Sequence, residues 1–512
     1  MKKFIKEWKW VILGGIGIVF FALAIRLYNL TLLPVFADEA IYIRWSQVMN
    51  AEPTLRFLPL SDGKQPLFMW FLMFYIKYMN NPLFAGRILS VFSGLGTMIG
   101  IFAVSHILFR NKLVSLLSAF IWAICPLSFF FDRMALVDSL LAMFGVWTLF
   151  FGTLTAKTKR LDMALITGFS LGCGMLTKSP AIFFLLLLPV TWIFIKNSKD
   201  LIKMVPLFVV VTVVGYGMYN ILRLGPNFNM IASRNQDYVL PITRILTYPT
   251  DPLIPHLKDV FIKWFPKMGP WPIFALILIG LLASWKKYWR EKTIIIISWF
   301  GPLLVLAEFG RAFTVRYILF LFPALFILMA SGILVKNKII KGIFYFFLVI
   351  FTGMSLIFDY HLLTNPAKAD LPRSERSGYL EEWTAGDGIK EIADYLKSQT
   401  SNLKSEEKLV VGTEGYFGTL PDGLQMYLNN NQKIIVIGVG LDLSKVPESL
   451  QESKKAGNET YLVINESRFK GDPDKLGLKL IASYPKVARR DKTSKEYITK
   501  GPQEVLLFFE LK

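Results

Sequence analysis

The 512-residue sequence has little cysteine, little histidine and little charge. Its two cysteines, Cys125 and Cys173, exclude a disulfide framework by count alone. Both lie inside apolar runs, where they read as packing residues. The three histidines, His106, His256 and His361, are scattered along the chain. The residues therefore require no cofactor; a divalent metal is allowed by His256 or His361 with an acid, but is not indicated. No Gly-x-Gly-x-x-Gly follows a strand pattern and no P-loop lysine motif occurs, which argues against a soluble nucleotide as donor. The glycines of "SGLGTMIG" fall in an apolar run and suit helix packing. Internal repeats and low-complexity tracts are lacking. Charged residues make up 18% of the chain, against about 25% in ordinary soluble domains.

What is present is apolar surface in long blocks. Hydrophobic residues reach 54%, aromatics 15%, and the mean hydropathy is +0.46. Eleven apolar blocks lie near 11–27, 83–108, 113–131, 139–155, 163–177, 181–195, 204–222, 270–285, 293–307, 315–334 and 342–360. They predict a polytopic α-helical membrane protein of about eleven transmembrane helices. The formal net charge of +20 would suggest nucleic acid in a soluble chain. Here its placement supplies another reason. With the first ten residues inside, the segments 1–10, 109–112, 156–162, 195–203, 285–292 and 335–341 face the cytoplasm. They hold 19 Lys and Arg against four acids. This is the positive-inside pattern, and nucleic acid is not needed to explain it. The first block lacks a small-residue cleavage site and reads as a retained span. The expected location is the cytoplasmic membrane, multi-pass, with the N-terminus inside and the C-terminal region outside.

Residues 1–360 are expected to form the membrane domain, with long outer loops at 28–80 and 223–269. The first loop predicts two interfacial helices. One follows Asp38, with Ile41, Trp45, Val48 and Met49 on one face; the other starts at Pro66 and is rich in aromatics. The second loop carries Arg223, Arg234, Arg244, Lys258, Lys263 and Lys267. After residue 360 charge and turn residues increase. Segments such as "KLVVGT", "KIIVIGV", "TYLVINES", "LKLIASYP" and "EVLLFFELK", alternating at first with helical patterns, predict a small extracytoplasmic α/β domain over 361–512.

The polar residues at the outer ends of the blocks are the candidates for chemistry. In "FADEAIY", Asp38 and Glu39 suit the start of a helix, Asp as an N-cap and either acid in the first turn. A carboxylate there also suits a general base acting on an acceptor hydroxyl or amine. In "SDGKQPLF", Lys64 precedes the proline-started helix; it suits snorkelling or a phosphate. "FFDRMALVDSLLA" contains Asp132 and Arg133, which read as an interfacial ion pair, and Asp138, which opens the next span. Acids so near hydrocarbon mark a partner or a function. "LTKSP" places Lys178 between two blocks with almost no loop, where a lysine needs an anion. "GRAFTVRYILFLFP" places Arg311, Arg316 and Tyr317 at an outer end, and arginine suits multidentate phosphate recognition. Taken together, Asp38, Glu39 and Asp138 with Lys64, Lys178 and Arg316 combine carboxylates and a phosphate clamp on one face of the membrane. A phosphate at that face is most simply a lipid's.

These motifs, "ADEAIY", "GKQPLF", "DRMALVDSLLA", "LTKSP" and "RYILFLFP", occur in an order that resembles the GT-C class of membrane glycosyltransferases. Within that class the chain is similar to the protein O-mannosyltransferase and aminoarabinose transferase superfamily, in its prokaryotic form, over roughly residues 30–330. The tail "SGYLEEWTAGDGIKEIADYL" resembles the start of the extracytoplasmic domain of bacterial members. The resemblance implies a polyprenyl-phosphate sugar as donor and an acceptor outside the cytoplasm: protein, glycolipid or cell-wall polymer. It implies Asp38 as catalytic carboxylate with Glu39 beside it, and Asp138 as a second site acid. Lys64, Lys178 and Arg316 would face the donor phosphate. Aminoarabinose transferases carry an arginine three residues after the aspartate. Ile41 stands there, with Arg44 one turn on, which counts against lipid A modification with aminoarabinose. The C-terminal domain also differs from the repeat module that eukaryotic protein mannosyltransferases insert between spans.

Two other classes fit parts of the pattern. A transporter or flippase of lipid-linked saccharides would place polar residues near the midplane on broken, repeated helices, whereas the polar residues here gather at one face. A receptor or scaffold would depend on 361–512 and be indifferent to Asp38.

Overall fold

The computed structural model describes residues 2–401, 403–404 and 407–512, with side chains from residue 7. The chain folds as two compact units. One comprises Met1–Leu30, Thr54–Phe71 and Arg87–Pro372; the other comprises Thr31–Pro53, Leu72–Gly86 and Arg373–Lys512. Residues 31–53 and 72–86 thus belong with the C-terminal part, unlike a single cut at residue 360.

All eleven predicted apolar blocks are helical. Among the described residues, seven helices are long and apolar enough to cross a membrane: Glu7–Leu27, Pro82–Phe109, Val137–Thr158, Ser198–Leu224, Trp285–Phe309, Val315–Leu334 and Lys338–Thr364. An eighth crossing arises if Leu253–Met268 and Ile273–Leu282, bent by 107°, make one span. The other blocks are shorter than a full crossing, and prolines account for where two of them stop. Lys112–Ile124 begins on Asn111, whose side chain accepts from the backbone of Leu113 and Val114, and it stops just before Pro126. At 1.5 Å per residue it is roughly 20 Å long, short of a hydrocarbon core of about 30 Å. Leu161–Thr177 stops where Pro180 opens a new turn. A residue preceding proline is disfavoured in the helical region.

The helical unit is tied internally by buried charge. Arg26 and Asp132 are both fully buried and paired at 3.1 Å. Arg26 also donates to the carbonyls of Ala123 and Trp122, and Ser139 Oγ donates to Asp132 Oδ1 at 2.9 Å. The expected Asp132–Arg133 pair is corrected: Arg133 turns to the end of the first helix. It donates to the carbonyl oxygens of Ile25, Arg26, Tyr28 and Asn29. Unsatisfied carbonyls at a helix end attract such a cation. Gly94 is the space this arrangement needs, because a Cβ there would collide with the Asp132 carboxylate. Lys292, counted above among the inner-loop bases, is fully buried and donates to the carbonyls of Gly280, Leu281 and Ala283, which end the helix Ile273–Leu282.

The other unit contains a five-stranded sheet. Its strands are β1 (Leu409–Thr413), β2 (Ile434–Gly438), β3 (Glu459–Asn465), β4 (Leu478–Pro485) and β5 (Val505–Leu511), in the order β2-β1-β3-β5-β4. β1 runs parallel to β2 and β3, while β5 runs antiparallel to β3 and β4. Each predicted strand and helix of the tail is present, with Ile389–Gln399, Asp422–Leu428 and Glu448–Lys455 as the helices. β1 is buried at all five positions, as a central strand covered on both faces should be. One side of the core joins Val410, Leu450, Leu462, Ile464 and Phe509.

Candidate functional site

In the helical unit the loop 58–66 positions Lys64. The 3-10 turn Leu58–Asp62 ends on Gly63, which adopts φ +66°. Only glycine enters that region without steric cost. The absence of a side chain also admits the helix Met230–Tyr238, since a Cβ on Gly63 would lie 2.7 Å from Arg234 Cβ and 2.8 Å from the Met230 carbonyl. Asp62 then pairs with Lys64 at 3.3 Å and with Arg234 at 2.9 Å. Next along the chain, Gln65 Nε2 donates to Ser179 Oγ at 2.8 Å, joining this loop to the Lys178 turn.

Lys178 ends the helix Leu161–Thr177 in extended conformation. Its ammonium bonds Asp138 Oδ1 at 2.6 Å, with the acid 3% and the lysine 22% exposed. It also lies 4.1 Å from the centre of the Tyr317 ring, and the Arg316 guanidinium lies 5.3 Å from the same ring. Burial and Tyr317 raise the pKa of Tyr238, and Lys64 opposes them. Tyr238 is held in place by its carbonyl, which accepts from Arg311 N at 2.8 Å, and by the bridge between Val239 and Gly310. Lys64, Lys178, Asp138 and Arg316 thus belong to one polar group within the helical unit. Asp62, Arg234 and Tyr238 join it. Sequence reading singled out none of these three; Arg234 was one base among six in its loop, and nothing in the residue order links it to Asp62.

Asp38 and Glu39 belong to the unit that holds the sheet. Their helix is Ala37–Ala51, with Phe36 in the N-cap position. Asp38 is therefore the second helical residue, where its charge still suits the helix N-terminus, and the N-cap expectation is corrected. Glu39 is fully buried and accepts the Phe36 N–H at 3.0 Å through Oε2. That bond satisfies an otherwise orphaned donor of the first turn. Asp38 is half-buried. The segment before the helix pairs with 384–386: Ala37 N donates to Thr384 O at 3.1 Å, and Gly386 N to Val35 O at 2.8 Å. Further along, Arg44 donates to Asn429 Oδ1 and Gln47 to the Met426 carbonyl at 2.8 Å. Burial lowers the pKa of Arg44, with Asp422 opposing. Among the described residues, no group of three or more His, Cys, Asp or Glu side chains is placed to hold a metal ion.

Residues 63–216 match the family model described as dolichyl-phosphate-mannose-protein mannosyltransferase. The structure of ArnT from Cupriavidus metallidurans bound to undecaprenyl phosphate aligns over 98% of this chain and 98% of its own, at 16% identity and a TM-score of 0.62. The apo form of the same protein aligns over the same shares at 14% identity and a TM-score of 0.61. The oligosaccharyltransferase of Archaeoglobus fulgidus, tethered to an acceptor peptide, aligns over 90% of this chain and 69% of its own, at 11% identity and a TM-score of 0.49. No curated protein matches the chain in sequence. The chain has the GT-C membrane fold with a small C-terminal α/β domain, and the class-level resemblance read from its motifs is borne out.

Proposed function

We propose that this protein is an integral-membrane glycosyltransferase that moves a sugar from a polyprenyl-phosphate donor to an acceptor outside the cytoplasm. The observation that carries the reading is the polar group on the helical unit. Lys64, Lys178, Arg234 and Arg316 bring four positive charges, set among the carboxylates of Asp62, Asp138 and Asp237. A cluster of lysines and arginines suits a phosphate. A protein of the same fold has been solved with undecaprenyl phosphate bound, and part of the chain matches a mannosyltransferase family model. In this reading Asp138 orients Lys178, and Lys64, Lys178 and Arg316 stabilise the charge that grows on the leaving lipid phosphate. Asp38 takes the proton of the acceptor hydroxyl or amine. The bond from the anomeric carbon to the phosphate oxygen breaks as the bond to the acceptor forms. Glu39 supports the helix start. The site faces outside, and because lysine and arginine can carry the charge a divalent metal is not required.

The test uses purified Asp38→Asn and Lys64→Ala proteins in bilayers, assayed for transfer from polyprenyl-phosphate mannose, glucose and aminoarabinose. Loss of a general base costs about 10²–10⁴-fold, so Asp38→Asn is expected to lose kcat by that order. Lys64→Ala is expected to weaken both donor affinity and kcat. Full activity in both variants would sink the mechanism.

A further inference from the structure

In the sheet of the C-terminal domain the carboxyl ends of the parallel strands β1, β2 and β3 lie along one edge. The chain leaves β1 for β2 on one side, then crosses back to β3 on the other. Between β1 and β3 the connections therefore diverge, and open α/β sheets bind ligands at such a point. Here it is occupied by planar polar side chains. Glu414, just past β1 and 2% exposed, accepts from Asn465 at the end of β3. Asn465 N and Nδ2 each donate at 2.7 Å, and Arg468 Nη1 adds a third bond at 3.0 Å. The Arg468 guanidinium lies 4.0 Å from the centre of the Trp383 ring. The loop after β1 carries Tyr416 and Phe417, 75% and 46% exposed, between Gly415 and Gly418, which adopt φ +69° and +121°.

We infer that this edge is a saccharide-binding site, formed by Trp383, Tyr416, Phe417 and Arg468, with Glu414 and Asn465 beneath holding Arg468 in place. The inference rests on the proposed transferase reading for its role, which is to hold the acceptor glycan. A sugar ring offers an apolar C–H face to aromatic rings and hydroxyls to a guanidinium. A peptide would instead seek a free strand edge or a row of apolar pockets, and the residues here lie at strand ends. The site is also tied to the acid pair. Thr384, next to Trp383, accepts from Ala37 N through its carbonyl, and the same oxygen accepts from Thr419 Oγ1 at 3.3 Å. Phe417 packs on Trp45 of the Asp38 helix at 5.7 Å. The aromatic loop and the first turn of that helix are thus knit within one unit.

Full-length protein in lipid nanodiscs is applied to an array of mannose-, glucose-, galactose- and N-acetylhexosamine-terminated oligosaccharides, with serine- and threonine-rich peptides beside them. Wild type is expected to bind at least one saccharide class. Trp383→Ala and the surface variant Tyr416→Ala are each expected to weaken that binding about tenfold, and the exposed-site variant Lys455→Ala to keep it. The inference is overturned if no saccharide is bound, if both aromatic variants bind as wild type does, or if the peptides bind with the same dependence on Tyr416. The array needs no transfer. Saccharide binding without transfer from any polyprenyl donor would refute the proposed reaction alone, whereas transfer without saccharide binding would refute this site alone.

Discussion

Lys64 is set in place by a neighbour with no side chain. Gly63 turns through φ +66° and lets Arg234 approach to where its Cβ would stand. Alanine at that position meets two costs at once, a left-handed backbone and a collision with Arg234 Cβ and the Met230 carbonyl. Strain of about 1–3 kcal/mol is expected, enough to move the Met230–Tyr238 helix rather than unfold the chain. Gly63→Ala should therefore raise KM for the lipid donor and lower kcat, as Lys64→Ala does but less, read from initial rates against donor concentration. Unchanged KM and kcat would contradict the clamp. At this scale the sequence was partly legible. Local motifs marked Lys64, Lys178, Asp138 and Arg316, because a charge beside hydrocarbon stands out. Pairings across distance were not: Gln65 meets Ser179, 114 residues on, and no local pattern encodes that.

Helices and strands were the most legible elements. The tail's strands alternate in burial or run apolar between turn residues, so period and length announce them. The short helices Lys112–Ile124 and Leu161–Thr177 were legible as apolar blocks, but their early ends depend on proline. The helix Asp422–Leu428 makes a further demand that only packing reveals. Asp422, in its first turn, is 7% exposed and accepts the Gly418 N–H at 2.8 Å. Burial pushes its pKa up to about 6, against the pull of that bond and of Arg44. A raised carboxyl pKa means that the folded state holds the proton longer than the unfolded one. Its contribution to stability is full below the unfolded value near 4, falls between about 4 and 6, and is flat above. Protection of 418–428 in hydrogen exchange, corrected for intrinsic rate, is expected to fall by up to about 3 kcal/mol across that window. Asp422→Asn, which can still accept the Gly418 N–H, should flatten the profile; an unchanged slope would assign it to another group.

For the whole molecule, apolar blocks and loop charge carried the architecture, because a bilayer imposes length and sign on every segment. The division into units was less legible, since residues 31–53 lie far in sequence from the sheet they are grouped with. The proposed orientation has a direct check that exploits what the chain lacks. Both native cysteines are buried, so one exposed cysteine can report its side. Lys455→Cys should react with a membrane-impermeant maleimide in intact spheroplasts, and Lys196→Cys only after lysis. The reverse pattern would invert the topology.

The buried pair of Arg26 with Asp132 also bears on how the chain is made. The first helix leaves the ribosome before Asp132 exists, and so before Arg133 can cover its last carbonyls. Until more than a hundred further residues are synthesised, Arg26 carries an uncompensated charge at the end of an inserted segment. Such a charge stays in the wet headgroup layer. The first helix is therefore expected to settle fully only once the segment carrying Asp132 has been made and can neutralise it.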